Sequence, residues 1–190
     1  MVNLHNKEYF INNIITSKTY TDVIKVIIGV MVLFASAQIM IPIQPVPITL
    51  QTMMVSIIAF TYKPHVSFTT VLVYIGVGLI GLPMFAKLSG GLHYFMGATC
   101  GYLIGMLIAT PVMSVLSIKY SQKFLGVFCT CLIGHVVIYL LGVCWLATII
   151  GAKKALYSGF IVYIPTGIVK ILVFSYLYSC IKGRSGRYFG

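Results

Sequence analysis

The sequence predicts an all-α, polytopic membrane protein with six transmembrane helices and both termini cytoplasmic. Three observations carry that prediction. Of the 190 residues, 59% are hydrophobic and only 8% charged, with a mean hydropathy of +1.03, whereas a soluble domain carries roughly 25% charged residues. The apolar residues form long unbroken runs, as over 26–41 and 125–150. In lipid every backbone polar group must bond internally, which leaves helices or a closed barrel. Barrel strands alternate polar and apolar residues, so continuous runs select helices. The third observation is the placement of the cations, taken up below.

Residues 1–22 form a polar N-terminal segment, read as interfacial or loosely ordered. The membrane domain covers 23–182, and a basic tail covers 183–190. Span one is expected over 23–41. Within it Ala35-Ser36-Ala37 follows an apolar run, as at a signal-peptide cleavage site. The leading segment contains acids and the run continues through Ile41, so the span is read as retained. Gly29 and Ser36 are seven residues apart and share a helix face, with Ala37 beside them. Such a stripe admits another helix, from this chain or from a partner subunit. Gly29, Ser36 and Ala37 are therefore the candidate partner-interface residues.

Loop one, 42–47, holds three prolines in six residues, which fix φ and stiffen the turn. Span two, 48–62, is short for a crossing. Span three covers 67–82, and loop three, 83–94, is rich in glycine. Spans four, five and six cover 95–116, 124–150 and 160–181. Spans three to six are apolar over lengths suited to about 30 Å of hydrocarbon. Gly97, Gly101 and Gly105 repeat every four residues, a spacing for close helix packing.

With six spans the termini share a side. That side collects Lys7, Lys18, Lys25, Lys63, Lys119, Lys123, Lys182, Arg184 and Arg187, and the other only Lys87, Lys153 and Lys154. The positive-inside rule places the larger group in the cytoplasm. Loops one, three and five then face outward. This distribution also explains the net charge of +11 without nucleic acid as a partner.

Composition excludes several functions. The only acids, Glu8 and Asp22, precede span one. Carboxylate pairs for acid–base chemistry or metal binding are absent, and so is a G-x-x-x-x-G-K-[ST] phosphate loop. The chain is read as a non-enzyme with no cofactor and no metal, and active transport would need an ATP-hydrolysing partner. Cys100, Cys129, Cys131, Cys144 and Cys180 all lie in apolar stretches and read as small apolar residues. His135 reads as a core histidine.

Lys170 is the one cation left inside a span. An ionisable group there is a functional candidate, and with no acid in any span its partner must be water, a carbonyl, a lipid headgroup or a bound anion. Snorkelling to the interface is the competing reading. It lies about ten residues into the expected span, ~15 Å along the axis. Pro165 and Gly167 flank it. Thr49, Gln51 and Thr52 follow the prolines and offer hydroxyl and amide groups, either for a ligand or to cap span two. Thr99, Tyr102 and Tyr139 could line a cavity or pack helices.

Several runs together resemble the BioY family, the substrate-binding subunits of energy-coupling-factor biotin importers. They are Ala37-Gln38-Ile39 with Ile41-Pro42-Ile43, Pro45-Val46-Pro47-Ile48-Thr49-Leu50-Gln51-Thr52, Gly81-Leu82-Pro83-Met84-Phe85-Ala86 with Ser89-Gly90-Gly91, and Gly97-Ala98-Thr99-Cys100-Gly101-Tyr102. Tyr139, Gly142, Trp145, Pro165 and Lys170 continue the match in order. The resemblance implies a six-helix subunit in the cell membrane with an outward pocket under loop one. It implies biotin as ligand and, in most members, a transmembrane coupling subunit and two cytoplasmic ATPases. The implied substrate-binding residues are Pro47, Thr49, Gln51, Gly90, Thr99, Tyr102, Tyr139, Gly167 and Lys170. One departure bears on the ligand: the family's P-G-D-x-x-K reads Pro165-Thr166-Gly167-Ile168-Val169-Lys170, so glycine stands at the aspartate position. The same fold binding another small vitamin, and a solitary biotin carrier, are the alternatives. A membrane enzyme and a structural scaffold are the more distant readings.

Overall fold

The computed structural model describes the backbone of residues 2–185 and the side chains of residues 18–182. The expected basic tail, 183–190, lies outside the described side chains. Helix α1 spans Val2–Gln38. The polar N-terminal segment is thus helical and continuous with span one, rather than a separate loosely ordered stretch. The first glycine is Gly29 and the first proline Pro42, so nothing before Gly29 breaks the helix.

Strands β1 (Met40–Ile41) and β2 (Ile48–Thr49) pair antiparallel, Met40 opposite Thr49 and Ile41 opposite Ile48. The proline-rich loop is the tip of this hairpin. Pairing of Ile48 and Thr49 delays the next helix, α2, to Gln51–Thr61. At 1.5 Å per residue its 11 residues reach about 16 Å. Helix α3 follows over Pro64–Leu79, with Pro64 in the first turn where its missing N–H costs nothing. A short helix α4 (Leu92–Phe95) leads to α5 (Cys100–Tyr120) and α6 (Phe124–Ile150). Gly151, at φ +85°, ends α6. Helix α7 (Ala152–Gly159) and a 3₁₀ turn (Ile161–Tyr163) precede α8 (Ile164–Ser185). Pro165 is the second residue of α8, so it starts the helix instead of loosening it. Lys170 consequently lies six residues, about 9 Å, into α8, shallower than the expected span implied.

Among the described residues, four stretches are long and apolar enough to cross a membrane: Lys18–Gln38, Cys100–Tyr120, Phe124–Ile150 and Ala152–Lys182. Helices α2 and α3 are apolar but shorter. Large apolar side chains cover the outside, Ile27 at 59% and Met31 at 58% exposure among them. A soluble monomer rarely shows so much, and lipid accounts for it.

Contacts define two ends. At one, Asp22 pairs with Lys63 (3.7 Å) and His65 (3.5 Å), Ser114 donates to the Tyr62 carbonyl, and Lys182 donates to Ser121. At the other, Gln38 donates to the Phe85 carbonyl, Trp145 to Gly97 and Tyr102 to Gly159. The hairpin and the 82–91 loop lie at this second end.

Helices α5 and α6 form the tightest seam. A Cβ at Gly101 would fall 2.4 Å from the Leu141 carbonyl oxygen, and one at Gly105 2.8 Å from the Ile138 Cα. Gly97 precedes α5 and accepts the Trp145 indole N–H instead. Gly29 does the same work on α1, where a Cβ would fall 2.5 Å from the Thr70 side chain of α3. Ser36 and Ala37 are also buried. The three residues expected at a partner interface are therefore buried within this chain, and the helix that Gly29 admits is its own α3. Cys131 is buried and Cys129, two residues away, exposed, as the helical period requires.

Candidate functional site

The hairpin, α2, α3, α5, α6 and the start of α8 enclose a cavity of about 550 Å³, counting its open mouth. Six aromatic side chains contribute to its wall. Tyr102, Tyr139 and Tyr163 line one side, with ring centroids 6.1–6.2 Å apart where they meet. Tyr74, Phe85 and Tyr94 line another, Phe85 stacked on Tyr94 at 5.4 Å and edge-on to Tyr74 at 5.8 Å. Met106 and Leu103 of α5 complete the apolar surface.

Three of the tyrosine hydroxyls are committed to backbone carbonyls. Tyr74 donates to Met84, Tyr102 to Gly159 and Tyr163 to Val46. These bonds tie Tyr74 and Tyr163 to loops at this end of the molecule and Tyr102 to the last residue of α7. Buried tyrosine needs such a partner. Tyr139 differs: among the described residues its hydroxyl makes no hydrogen bond. That oxygen lies against Gly167, where a Cβ would approach it to 2.8 Å. Burial raises the Tyr94 phenol above its ordinary value, so it stays neutral at physiological pH.

The polar atoms converge at one edge. Lys170 Nζ donates to the Thr49 carbonyl at 2.6 Å and to Thr52 Oγ1 at 3.3 Å. Gln51 Nε2 donates to the Tyr74 hydroxyl at 2.9 Å. Lys170 is the only charged side chain on the cavity wall. An ammonium has three donors, and two are engaged here. The arrangement suits a ligand with an apolar body and one anionic group; no described carboxylate or nucleophile–base pair is present to perform chemistry on it.

Of the nine residues expected to bind substrate, Pro47, Thr49, Gln51, Thr99, Tyr102, Tyr139 and Lys170 line this cavity. Gly167 and Gly90 do not. Gly167 sits behind Tyr139. Gly90 packs on the Leu82 carbonyl, which a Cβ would meet at 2.2 Å, and closes the 82–91 loop. Sequence reasoning missed Tyr74, Phe85, Tyr94 and Tyr163. Gly78 was the one available signal for Phe85, because it makes room for that ring: a Cβ there would fall 2.2 Å from it. Nothing in the local pattern separates Tyr163, 5% exposed, from Tyr176, 65% exposed.

Comparison with known proteins places the chain in a family. The model of the BioY family matches residues 9–187. A Rickettsia prowazekii protein named "Probable biotin transporter BioY" is 50% identical over 173 residues, covering 91% of this chain and 89% of that protein. The "Biotin transporter BioY" of Thermotoga maritima is 32% identical over 153 residues, covering 80% and 90%. Among solved structures, the S-component for biotin from an ECF-type ABC transporter superposes with a TM-score of 0.72 at 25% identity, covering 90% of this chain and 93% of that one.

Proposed function

Because the chain belongs to the BioY family, we propose that it is the membrane-embedded substrate-binding subunit of a biotin importer and captures biotin in the aromatic cavity beneath the hairpin. The observation that carries this reading is Lys170, the single cation among the described residues on a wall otherwise made of aromatic, apolar and neutral polar side chains. Biotin has a carboxylate tail, an apolar thioether bicycle and a ureido group. In the proposed pose the carboxylate meets Lys170, the bicycle lies among Tyr102, Tyr139 and Tyr163, and Pro47, Thr49, Gln51 and Thr99 border the polar groups.

The chain crosses the cell membrane six times in this reading. The hairpin and α2 together make the second crossing, since about 16 Å of helix is too short alone. Both termini lie in the cytoplasm. Lys18, Lys63, Lys119, Lys123 and Lys182 belong to that side, with Lys87, Lys153 and Lys154 outside, which supports the orientation. A transmembrane coupling subunit with two cytoplasmic ATPases supplies the energy, in keeping with the ECF-type transporter from which the matching S-component comes. Biotin is cargo, and no resident cofactor is required.

Equilibrium titration of the purified protein in nanodiscs tests the reading. Wild type should bind biotin stoichiometrically. Lys170→Ala should weaken biotin by about ten- to a hundred-fold, the scale of a hydrogen bond to a charged group, and should weaken biotin amide much less. Equal losses for both ligands would remove Lys170 from the tail-binding role. No binding by wild type would remove biotin. Gly167 gives a specific ground for a second ligand, because the Tyr139 hydroxyl takes up space beside it. Competition by a panel of small vitamins, on wild type and Gly167→Asp, separates the two.

A further inference from the structure

We propose that the cleft beside the α5–α6 turn, at the end of the molecule opposite the biotin cavity, is a binding site for an anionic phospholipid. The cleft holds about 1,140 Å³, open side included. Its mouth carries Lys119 and Lys123. Lys182 reaches the same turn and donates to the Ser121 carbonyl at 3.2 Å and hydroxyl at 3.0 Å. Three cations thus surround one turn. The only carboxylate among the described side chains, Asp22, is paired elsewhere, with Lys63 and His65. Lys119 and Lys182 face only neutral partners here, the Tyr120 ring and Ser121, so no described carboxylate offsets the charge of this turn.

The rest of the cleft is apolar and runs down α6. Leu125, Cys129 and Ile133 line it, Leu125 at 68% and Ile133 at 46% exposure, with Leu116 of α5 opposite. From Phe124 to Ile133 the groove follows the helix for ~14 Å. Gly126 makes the turn tight enough to leave this space, since its Cα packs directly against the Tyr120 carbonyl. A positive mouth continuous with an apolar groove along a membrane helix matches an amphiphile: a phosphate at the lysines and an acyl chain beside α6. A free anion would use only the first half, and an acidic protein segment would leave the second half exposed. A juxtamembrane lysine typically contributes about five-fold to the binding of anionic lipid.

Native mass spectrometry of the full chain, released from detergent with equimolar phosphatidylglycerol and phosphatidylcholine, tests the proposal. Wild type should retain phosphatidylglycerol preferentially. Lys119→Gln/Lys123→Gln should lose roughly twenty-five-fold of that preference, five-fold for each lysine. Lys153→Gln/Lys154→Gln, which removes the same charge at the other end, should keep it. Equal loss in both double variants, or equal retention of the two lipids by wild type, would overturn the site. So would displacement of the lipid by inorganic phosphate or by an acidic peptide at equal concentration. If the first double variant fails to fold, salt decides: wild-type preference that persists unchanged at high ionic strength would exclude the lysines as its source. Biotin titration of the same samples is independent of these outcomes, so failure of the lipid site and failure of the biotin reading are separable.

Discussion

Gly142 has no room for a methyl group. A Cβ there would lie 2.4–2.6 Å from the Tyr102 ring, which is held in place by its bond to the Gly159 carbonyl. Gly142→Ala should therefore cost about 1–3 kcal/mol of stability, as overpacking does, and should weaken biotin by tilting a cavity wall. Thermal unfolding in detergent and ligand titration read the two effects. Gly76 is the internal contrast: nothing lies within 4 Å of its Cβ position, so Gly76→Ala should be neutral or slightly stabilising through helix propensity. Tyr163→Phe removes the donor to the Val46 carbonyl. The stranded carbonyl should cost about 1–3 kcal/mol, seen as a lower unfolding midpoint. At this scale the sequence was legible where chemistry was scarce. Lys170 stands out because no other charge lies deep within an expected span. Tyr163 does not, because 13 tyrosines share one composition and only the fold decides which face the cavity.

The hairpin is the element on which the site depends most. Its two-residue strands are too short to persist alone. Lys170 anchors β2 through Thr49, and Tyr163 anchors the loop through Val46. Ligand binding at this edge should slow hydrogen exchange of the Ile48, Thr49 and Leu50 amides, while amides in the middle of α6 stay unchanged. Exchange that is unaffected by biotin would separate the hairpin from the site. Proline spacing was enough to predict a stiff turn here, but strands of this length leave no alternation to detect, so α2 was expected to begin at 48 instead of Gln51. The long helices were legible because hydropathy alone specifies them. The α5–α6 seam was legible from its glycine spacing. The small-residue stripe of Gly29, Ser36 and Ala37 was seen but misassigned, since spacing shows that a helix comes close and not whose helix it is.

For the whole molecule the main expectation is topological. In a cysteine-free background, Lys87→Cys and Lys153→Cys should react with an impermeant maleimide applied from outside intact cells, and Lys63→Cys and Lys123→Cys only after the membrane is breached. The reverse pattern would invert the orientation. All described cations except Lys170 fall at one end or the other of the bundle, so the charge pattern read from sequence corresponds to a real separation in space. The division of labour between the ends was not legible. Sequence offers a count of lysines on each side, and only the packing shows one end built around aromatic rings and the other around a turn crowded with cations.

The bond between Lys170 and the Thr49 carbonyl has a further consequence. The empty protein does not expose a bare charge; it carries its own competitor for the ammonium. Binding of an acid at this position is an exchange reaction, in which the incoming group must outbid a main-chain oxygen already in place at 2.6 Å. A carboxylate can win that contest because it brings a full negative charge to the ammonium, and the Coulomb attraction of an ion pair exceeds that of an ammonium for a neutral carbonyl. An amide or ester offers only what Thr49 already supplies. Selectivity for the free acid would then arise in part from this main-chain competitor, which substitution of the Thr49 side chain leaves in place and only loss of the Lys170 ammonium removes.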